Sequence, residues 1–325
     1  MPDSLLAVLD YLDATQPQAA QSWREWRIAP IVGGANNLLY HVANDRAACA
    51  VKFTICDERN RAKREYDALR ALHHAGLRLA PQPIWLDLQR YRQPVIVQSW
   101  LDGAVLSAAP ATAADWVALL NHYCAIHSLT PARTTIALAE AHLNIASGAA
   151  GKALICQHVA KLPPNARPAS LQALLAWIDR WTPPAWSTPP RALCRADPNW
   201  RNFIRRTDDW ASVDWENSGW GDPAFELADL MVHPTYEHIP LARWEQLITA
   251  YAEQRGDPSA VVRIQTYITI MLVWWVVRIA RYLYEAPRGL DPRLVRRPAN
   301  WREEKEQQYA QFVARAEAHI ATLHI

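Results

Sequence analysis

Glycine is scarce in this chain, ten residues in 325, and cysteine is scarcer at five. Cys49, Cys56, Cys124, Cys156 and Cys194 are scattered, odd in number and contain no C-x-x-C pair. That argues against a disulfide framework or a zinc site, and predicts a reduced, cytoplasmic protein. A charge excess is missing too, since 34 basic against 32 acidic residues leave +2. The balance argues against nucleic acid or an anionic membrane as partners. The opening MPDSLLAVLDYLD has acids where an export signal has basic residues, so none is expected there. Residues 264–277 are free of charge but include Gln265, and they fall short of the roughly 20 residues a bilayer needs. They predict a buried helix. There is no repeat, no H-E-x-x-H and no G-x-S-x-G. Repeat arrays, that zinc motif and a nucleophile-elbow hydrolase are thereby set aside.

What is present is an ordinary globular composition, 50% hydrophobic and 20% charged, with 16 tryptophans and 23 prolines. The length suits two domains or one bilobal unit. After an amphipathic opening helix, residues 27–42 predict strand, turn, strand, with GGANN at 33–37 as the turn. Residues 48–55 alternate, Cys49, Val51, Phe53 and Ile55 on one face and Ala50, Lys52 and Thr54 on the other. A helix is predicted over 57–74 and strands over 82–87 and 94–101. From residue 111 the pattern is mainly helical, with proline-rich loops at 162–168 and 182–190. A polar strand-and-loop island, LCRADPNWRNFI then ASVDWE, interrupts it between 192 and 216. Asn300 and Glu303 have capping-box spacing at the start of the last helix.

Several of these residues suit chemistry. Lys52 lies on the strand face opposite the apolar row, and Glu65 shares a helix face with Ala68, Leu69 and Leu72. A carboxylate on a packed face is costly unless paired, and Lys52 is the nearest cation in the preceding element. The pair reads either as a plain ion pair or as a lysine held to grip phosphate. Asp197 precedes Asn202 by five residues, and Asp214 and Glu216 are expected on one face of a short strand. Phosphoryl transfer needs an acceptor for the hydroxyl proton, which Asp197 can supply, and oxygen ligands for magnesium, which Asn202 and Asp214 can supply. By itself the segment also fits an Asp-Pro turn with a solvated asparagine.

The order of these features resembles the aminoglycoside phosphotransferase / choline kinase-like family. The motifs are GGANN, AVKF, REYDALRAL, APQPI, VQSWLDG, CRADPNWRNFI and VDWENSGWGDPAFELADL, from about Arg27 to the last helices. The resemblance implies an α+β, bilobal protein-kinase-like fold. Residues 1–101 would form a small antiparallel-sheet nucleotide-binding lobe with one key helix, and 102–325 a larger, mainly helical catalytic and acceptor-binding lobe. It implies an ATP- and Mg2+-dependent phosphotransferase, GTP being open as donor, acting on a small-molecule hydroxyl of an aminoglycoside-, choline- or sugar-like alcohol. Asp197 matches the catalytic base, Asn202 and Asp214 the metal ligands, Lys52 the phosphate-gripping lysine and Glu65 its partner. Gly33, Gly34 and Asn36 would cover the phosphates, and backbone groups of Ser99, Trp100 and Leu101 would meet the adenine edge. The turn is not G-x-G-x-x-G.

Two positions depart from the family pattern. Arg195 stands where the family usually has a histidine that braces the catalytic loop. Glu226 stands where it commonly has aspartate. These departures keep open a nucleotide-binding pseudokinase or scaffold. The aromatic stripe Met271, Trp274, Trp275, Arg278, Tyr282 and Glu285 reads as core or as an acceptor-pocket wall. With no dense acidic cluster in the last third, a small hydroxylated metabolite is the expected acceptor. A monomer or homodimer is expected.

Overall fold

The computed structural model describes residues 3–31, 37–207, 209–290 and 298–323. Two compact units emerge, Met1–Leu143 with Arg191–Gly221, and Asn144–Pro190 with Asp222–Ile325. These units are drawn by compactness, whereas the expected lobes 1–101 and 102–325 are drawn by role, and the first unit spans their boundary.

In the first unit, helix α1 (Asp3–Thr15) buries Leu5, Val8, Leu9 and Leu12 at i, i+3, i+4 and i+7. Strands β1 (Gln21–Trp23), β2 (Trp26–Pro30), β3 (Leu38–Ala43), β4 (Ala48–Phe53), β5 (Pro83–Asp87) and β6 (Val95–Ser99) form an antiparallel sheet in the order β1-β2-β3-β4-β6-β5. Cys49, Val51 and Phe53 of β4 join the α1 residues in one core, as the alternation predicts. On the other face, Ile96 of β6, the register partner of Lys52, joins Ala68, Leu69 and Leu72 of helix α2 (Arg61–His74) in a second core. Each buried leucine there contributes about 1.5–3 kcal/mol, which offsets the cost of burying Glu65 on the same helix face.

Helix α2 starts four residues later than expected. Asp57 Oδ1 accepts the Arg59 N–H at 3.1 Å, and the Asp57 carbonyl accepts the Asn60 N–H at 3.1 Å. That local turn competes with the helix, and Asn60 sits left-handed at its entrance, with φ 51°.

The unit continues with β7 (Ala104–Val105) and α3 (Ala113–His127), the latter capped by a Thr112–Asp115 box. The polar island then supplies β8 (Ala192–Cys194), β9 (Phe203–Arg205), β10 (Trp210–Ser212) and β11 (Gly219–Gly221). β10, β9 and β7 form one small sheet, and β11 and β8 another.

The second unit is helical: α4 (Gly148–Val159), α5 (Ala169–Arg180), α6 (Pro223–Val232), α7 (Leu241–Arg255), α8 (Ser259–Glu285) and α9 (Trp301–Ala321). Asp222 caps α6 through the Ala224 N–H at 2.9 Å, and Arg263 and Tyr267 of α8 bind its carboxylate. Among the described residues α8 alone is long and apolar enough to cross a membrane. However, 78% of its most apolar stretch is buried inside the protein, where α4, α6, α7 and α9 pack on it. Its aromatic stripe packs internally, with Trp274 against His158, Trp275 against Phe312 and Tyr282 against Trp301. The expected capping box at α9 does not form. Asn300 makes no cap bond, and its Nδ2 donates to Glu304 Oε1 at 2.7 Å instead.

Candidate active site

Lys52 is held between β3 and β6, with Leu39 and Ile96 as its register partners, and is 4% exposed. Its Nζ donates to Glu65 Oε2 at 2.8 Å and to Asp214 Oδ1, and lies 3.2 Å from Glu216 Oε2. Burial alone would lower the lysine pKa, but Asp214, Glu65 and Glu216 override it and hold the ammonium charged. Burial pushes the Glu65 carboxyl up to about 7, with Lys52 opposing and Asp214 and Glu216 adding to the rise. Glu216 is shielded from water as well. The charges of Lys52 and Arg61 and a hydrogen bond from Asn37 nonetheless hold its pKa below the usual carboxylate range.

Glu216 therefore acts as a clasp. It accepts from Asn37 Nδ2 at 2.6 Å and from Arg61, which also grips Asp57 at 2.8 Å. Asn37, Arg61 and Glu216 were not among the expected site residues. Two signals for them were present in the sequence. Glu216 follows Asp214 in D-x-E, and Arg61 stands one turn before Glu65.

The strand expected to carry Asp214 and Glu216 together ends at Ser212. Asp214 instead adopts a left-handed backbone, φ 64°, so its carboxylate and that of Glu216 reach Lys52 from a bend. Ala196, beside Asp197, is also left-handed at φ 56°. Strained non-glycine residues cost about 1–3 kcal/mol each and gather at functional sites.

Asp197 Oδ1 accepts the Asn199 N–H at 3.1 Å. Burial raises its pKa to about 6, Asp214 adding to the rise and Arg195 opposing it. The Asn202 carbonyl accepts the Val213 N–H at 2.9 Å, which ties that residue to the one preceding Asp214. Arg195, fully buried, donates to the Val213 carbonyl at 3.3 Å and stacks its guanidinium 4.6 Å from the Phe203 ring centre. It braces the loops that carry Asn202 and Asp214. Glu226 is buried in the first turn of α6.

Of the expected adenine-edge groups, the Ser99 and Trp100 N–H bonds are spent on the Gln82 and Ala48 carbonyls, at 2.9 and 3.1 Å. Among the described residues nothing accepts from the Leu101 N–H, so of the three donors it is the one left for a base edge. Gly33, Gly34 and Asn36 lie outside the described residues.

Carboxylate oxygens of Glu65, Asp214 and Glu216 lie within 4.8 Å of one another. Glu65 Oε1 is buried with no hydrogen-bond partner among the described residues. Three carboxylates against Lys52 and Arg61, with an acceptor to spare, suit a hard divalent cation such as Mg2+.

Residues 27–263 match the phosphotransferase enzyme family, and the chain belongs to it. No curated protein matches the sequence. Among solved structures it is similar to a candidate aminoglycoside phosphotransferase from Ralstonia eutropha JMP134, with 13% identity, TM-score 0.70 and coverage of 97% of this chain and 99% of that one. A spectinomycin phosphotransferase in complex with ADP and spectinomycin gives 12% identity, TM-score 0.60 and coverage of 97% and 98%. Choline kinase from Streptococcus pneumoniae gives 14%, 0.55, and coverage of 97% and 100%. At these identities the likeness establishes the fold, an antiparallel-sheet N-terminal region and a helical C-terminal region of the protein-kinase-like type.

Proposed function

We propose that this chain is an ATP- and Mg2+-dependent O-phosphotransferase that moves the γ-phosphoryl group to the hydroxyl of a small molecule, with GTP as the other possible donor. The observation that carries the reading is the buried ammonium of Lys52, ringed by Glu65, Asp214 and Glu216. In this reading Lys52 grips the triphosphate and Glu65 fixes its direction. Asn202 and Asp214 hold Mg2+, with the oxygens of Glu65 and Glu216 close by. When bound, Mg2+ supplies positive charge against the phosphates. Asp197 accepts the proton of the attacking hydroxyl, and a raised pKa near 6 suits a base working at neutral pH. Leu101 offers its N–H to the adenine edge, and the 33–37 turn covers the phosphates. Residues 1–101 thus serve the nucleotide, and 102–325 serve catalysis and the acceptor. Arg195 replaces the usual histidine and still braces the Asp214 loop, which favours an active enzyme. None of the five cysteines is in a disulfide, which suits the reducing cytoplasm.

Catalysis here is mostly positioning and charge placement. Transfer of label from γ-labelled ATP, with the unfolding midpoint as a fold control, tests it. Asp197→Asn should lower transfer about 10²–10⁴-fold, and Asp214→Ala should nearly abolish it. Full turnover in Asp214→Ala would remove the metal assignment.

A further inference from the structure

On the sheet face that carries Lys52, one row of side chains holds polar atoms with no partner among the described residues. Ala50 of β4 is the register partner of His41 on β3 and of Gln98 on β6, so the three share a face. Lys52 follows on that face two residues later. Gln98 is 4% exposed, and its Oε1 is buried with nothing donating to it. The Nε2 of His41 is likewise buried and unpartnered. A buried polar atom without a partner costs stability, and native folds keep few of them. Two in one row, beside a buried lysine, point to a ligand that completes them.

The row also suits a flat ring. Ala50 puts only a methyl group between two longer side chains, whose strands stand two spacings, about 9–10 Å, apart. The His41 ring packs on that of Trp100, with centroids 4.1 Å apart. Burial first, and then the charge of Arg27, lower the His41 pKa, with Asp102 opposing, so the ring is neutral at pH 7. Just past Gln98 the backbone offers one further group, the Leu101 N–H, since those of Ser99 and Trp100 are spent. An acceptor and a donor are thus both left over at the end of β6.

We propose that Gln98 selects the base of the nucleotide donor, its side-chain oxygen accepting from the 6-amino group of adenine while the ring lies over Ala50 against His41. The proposal rests on the phosphotransferase reading, in which Lys52 grips the triphosphate of the same nucleotide. Adenine sets an amino donor beside the N1 acceptor, which matches Gln98 Oε1 and the Leu101 N–H. Guanine presents an oxygen and an N1–H at those positions. It sets oxygen against oxygen at Gln98 and hydrogen against hydrogen at Leu101. Turning the Gln98 amide over relieves the first mismatch and leaves the second. ATP is therefore the donor in preference to GTP.

Equilibrium binding to the full chain with Mg2+ tests this, using ATP, GTP, purine riboside triphosphate, which lacks the 6-amino group, and tripolyphosphate, which lacks a base. ATP should bind about tenfold more tightly than purine riboside triphosphate, the worth of one buried hydrogen bond, and GTP more weakly than either. Gln98→Met keeps the bulk and removes the amide, so the ATP advantage should fall below about twofold. Tripolyphosphate should bind both proteins alike. His41→Ala should weaken every base-bearing ligand about tenfold and leave tripolyphosphate unchanged. Equal binding of ATP and purine riboside triphosphate by the natural protein overturns the proposal, and that comparison needs no variant. So does an ATP advantage that survives in Gln98→Met, GTP binding as tight as ATP, or a Gln98→Met defect shared by tripolyphosphate, which would mark Gln98 as structural. Any of these with label still transferred from γ-labelled ATP brings down the base assignment alone. Gln98-dependent base selection with no label transferred to any alcohol keeps the base site and brings down the phosphotransferase reading instead. No nucleotide bound at millimolar concentration brings down both.

Discussion

Acid should destabilise this protein through one buried histidine. His122 on α3 is 2% exposed, and its ring nitrogens lie 3.0 Å from the Trp210 carbonyl and 3.1 Å from Ser212 Oγ. A carbonyl can only accept, so Nδ1 carries the hydrogen and Nε2 accepts from the serine hydroxyl. The neutral ring is thus satisfied and anchors β10, the strand that leads into Asp214. Burial first, then the charge of Arg195, lowers its pKa to about 3. Unfolded histidine titrates near 6.5. Because the folded value is the lower one, the unfolded chain takes up the proton first. The contribution of His122 is complete above about pH 6.5, falls as the pH drops below that, and levels off near 3. Between pH 8 and pH 5 the loss amounts to about 2 kcal/mol. Urea unfolding at both pH values measures it, with His122→Gln as reference. Glutamine can make both hydrogen bonds without titrating, so the variant should lose about 2 kcal/mol less on acidification. Other groups titrate in both proteins and cancel in the comparison. An identical loss in the two proteins refutes the reasoning.

Arg195→Ala removes the tie from the Val213 carbonyl to the Phe203 ring, and a neutral side chain also lets the Asp197 pKa rise above about 6. Transfer should fall and the acid limb of its pH profile should move upward, whereas Arg195→His should recover much of the rate. Equal rates in the two variants would show that the brace is not needed. Gly219→Ala would place a Cβ 2.3 Å from the Ala139 carbonyl oxygen and 2.6 Å from the Ala141 nitrogen. Backbone must shift, at about 1–3 kcal/mol, and the urea midpoint should drop accordingly. An unchanged midpoint would mean that the 139–141 segment yields freely.

Much of this was legible in the sequence because the informative patterns are local. Period-two alternation placed Cys49, Val51 and Phe53 in one core and turned Lys52 away from it. Helical spacing put Glu65 on the packed face with Leu69 and Leu72. The start of α2 falls later than the spacing predicts because the Asp57 side chain closes a turn that hydrophobic spacing does not register. The Asp214 region departs from its local pattern too. Alternation predicts a strand, whereas the backbone at Asp214 is left-handed, a conformation that side-chain alternation does not encode. Asn37 was within the expected turn, but its bond to Glu216 spans 179 residues, and no local pattern encodes such a distance.

The charge balance of the Lys52 cluster bears on whether it is a structural staple or a working site. A carboxyl whose folded pKa lies above its unfolded value costs stability once the pH passes the unfolded value, and the cost is fully developed above the folded one. For Glu65, raised to about 7 with burial as the largest cause, part of that cost is present at neutral pH. Well-packed apolar residues at such a position would commonly be more stable. Lys52 and Arg61 do not remove the expense, since Asp214 and Glu216 share them and both push Glu65 further up. A staple would match its charges. This cluster keeps more carboxylates than Lys52 and Arg61 can balance, and a buried oxygen with no donor among the described residues, and a divalent cation would relieve both at once.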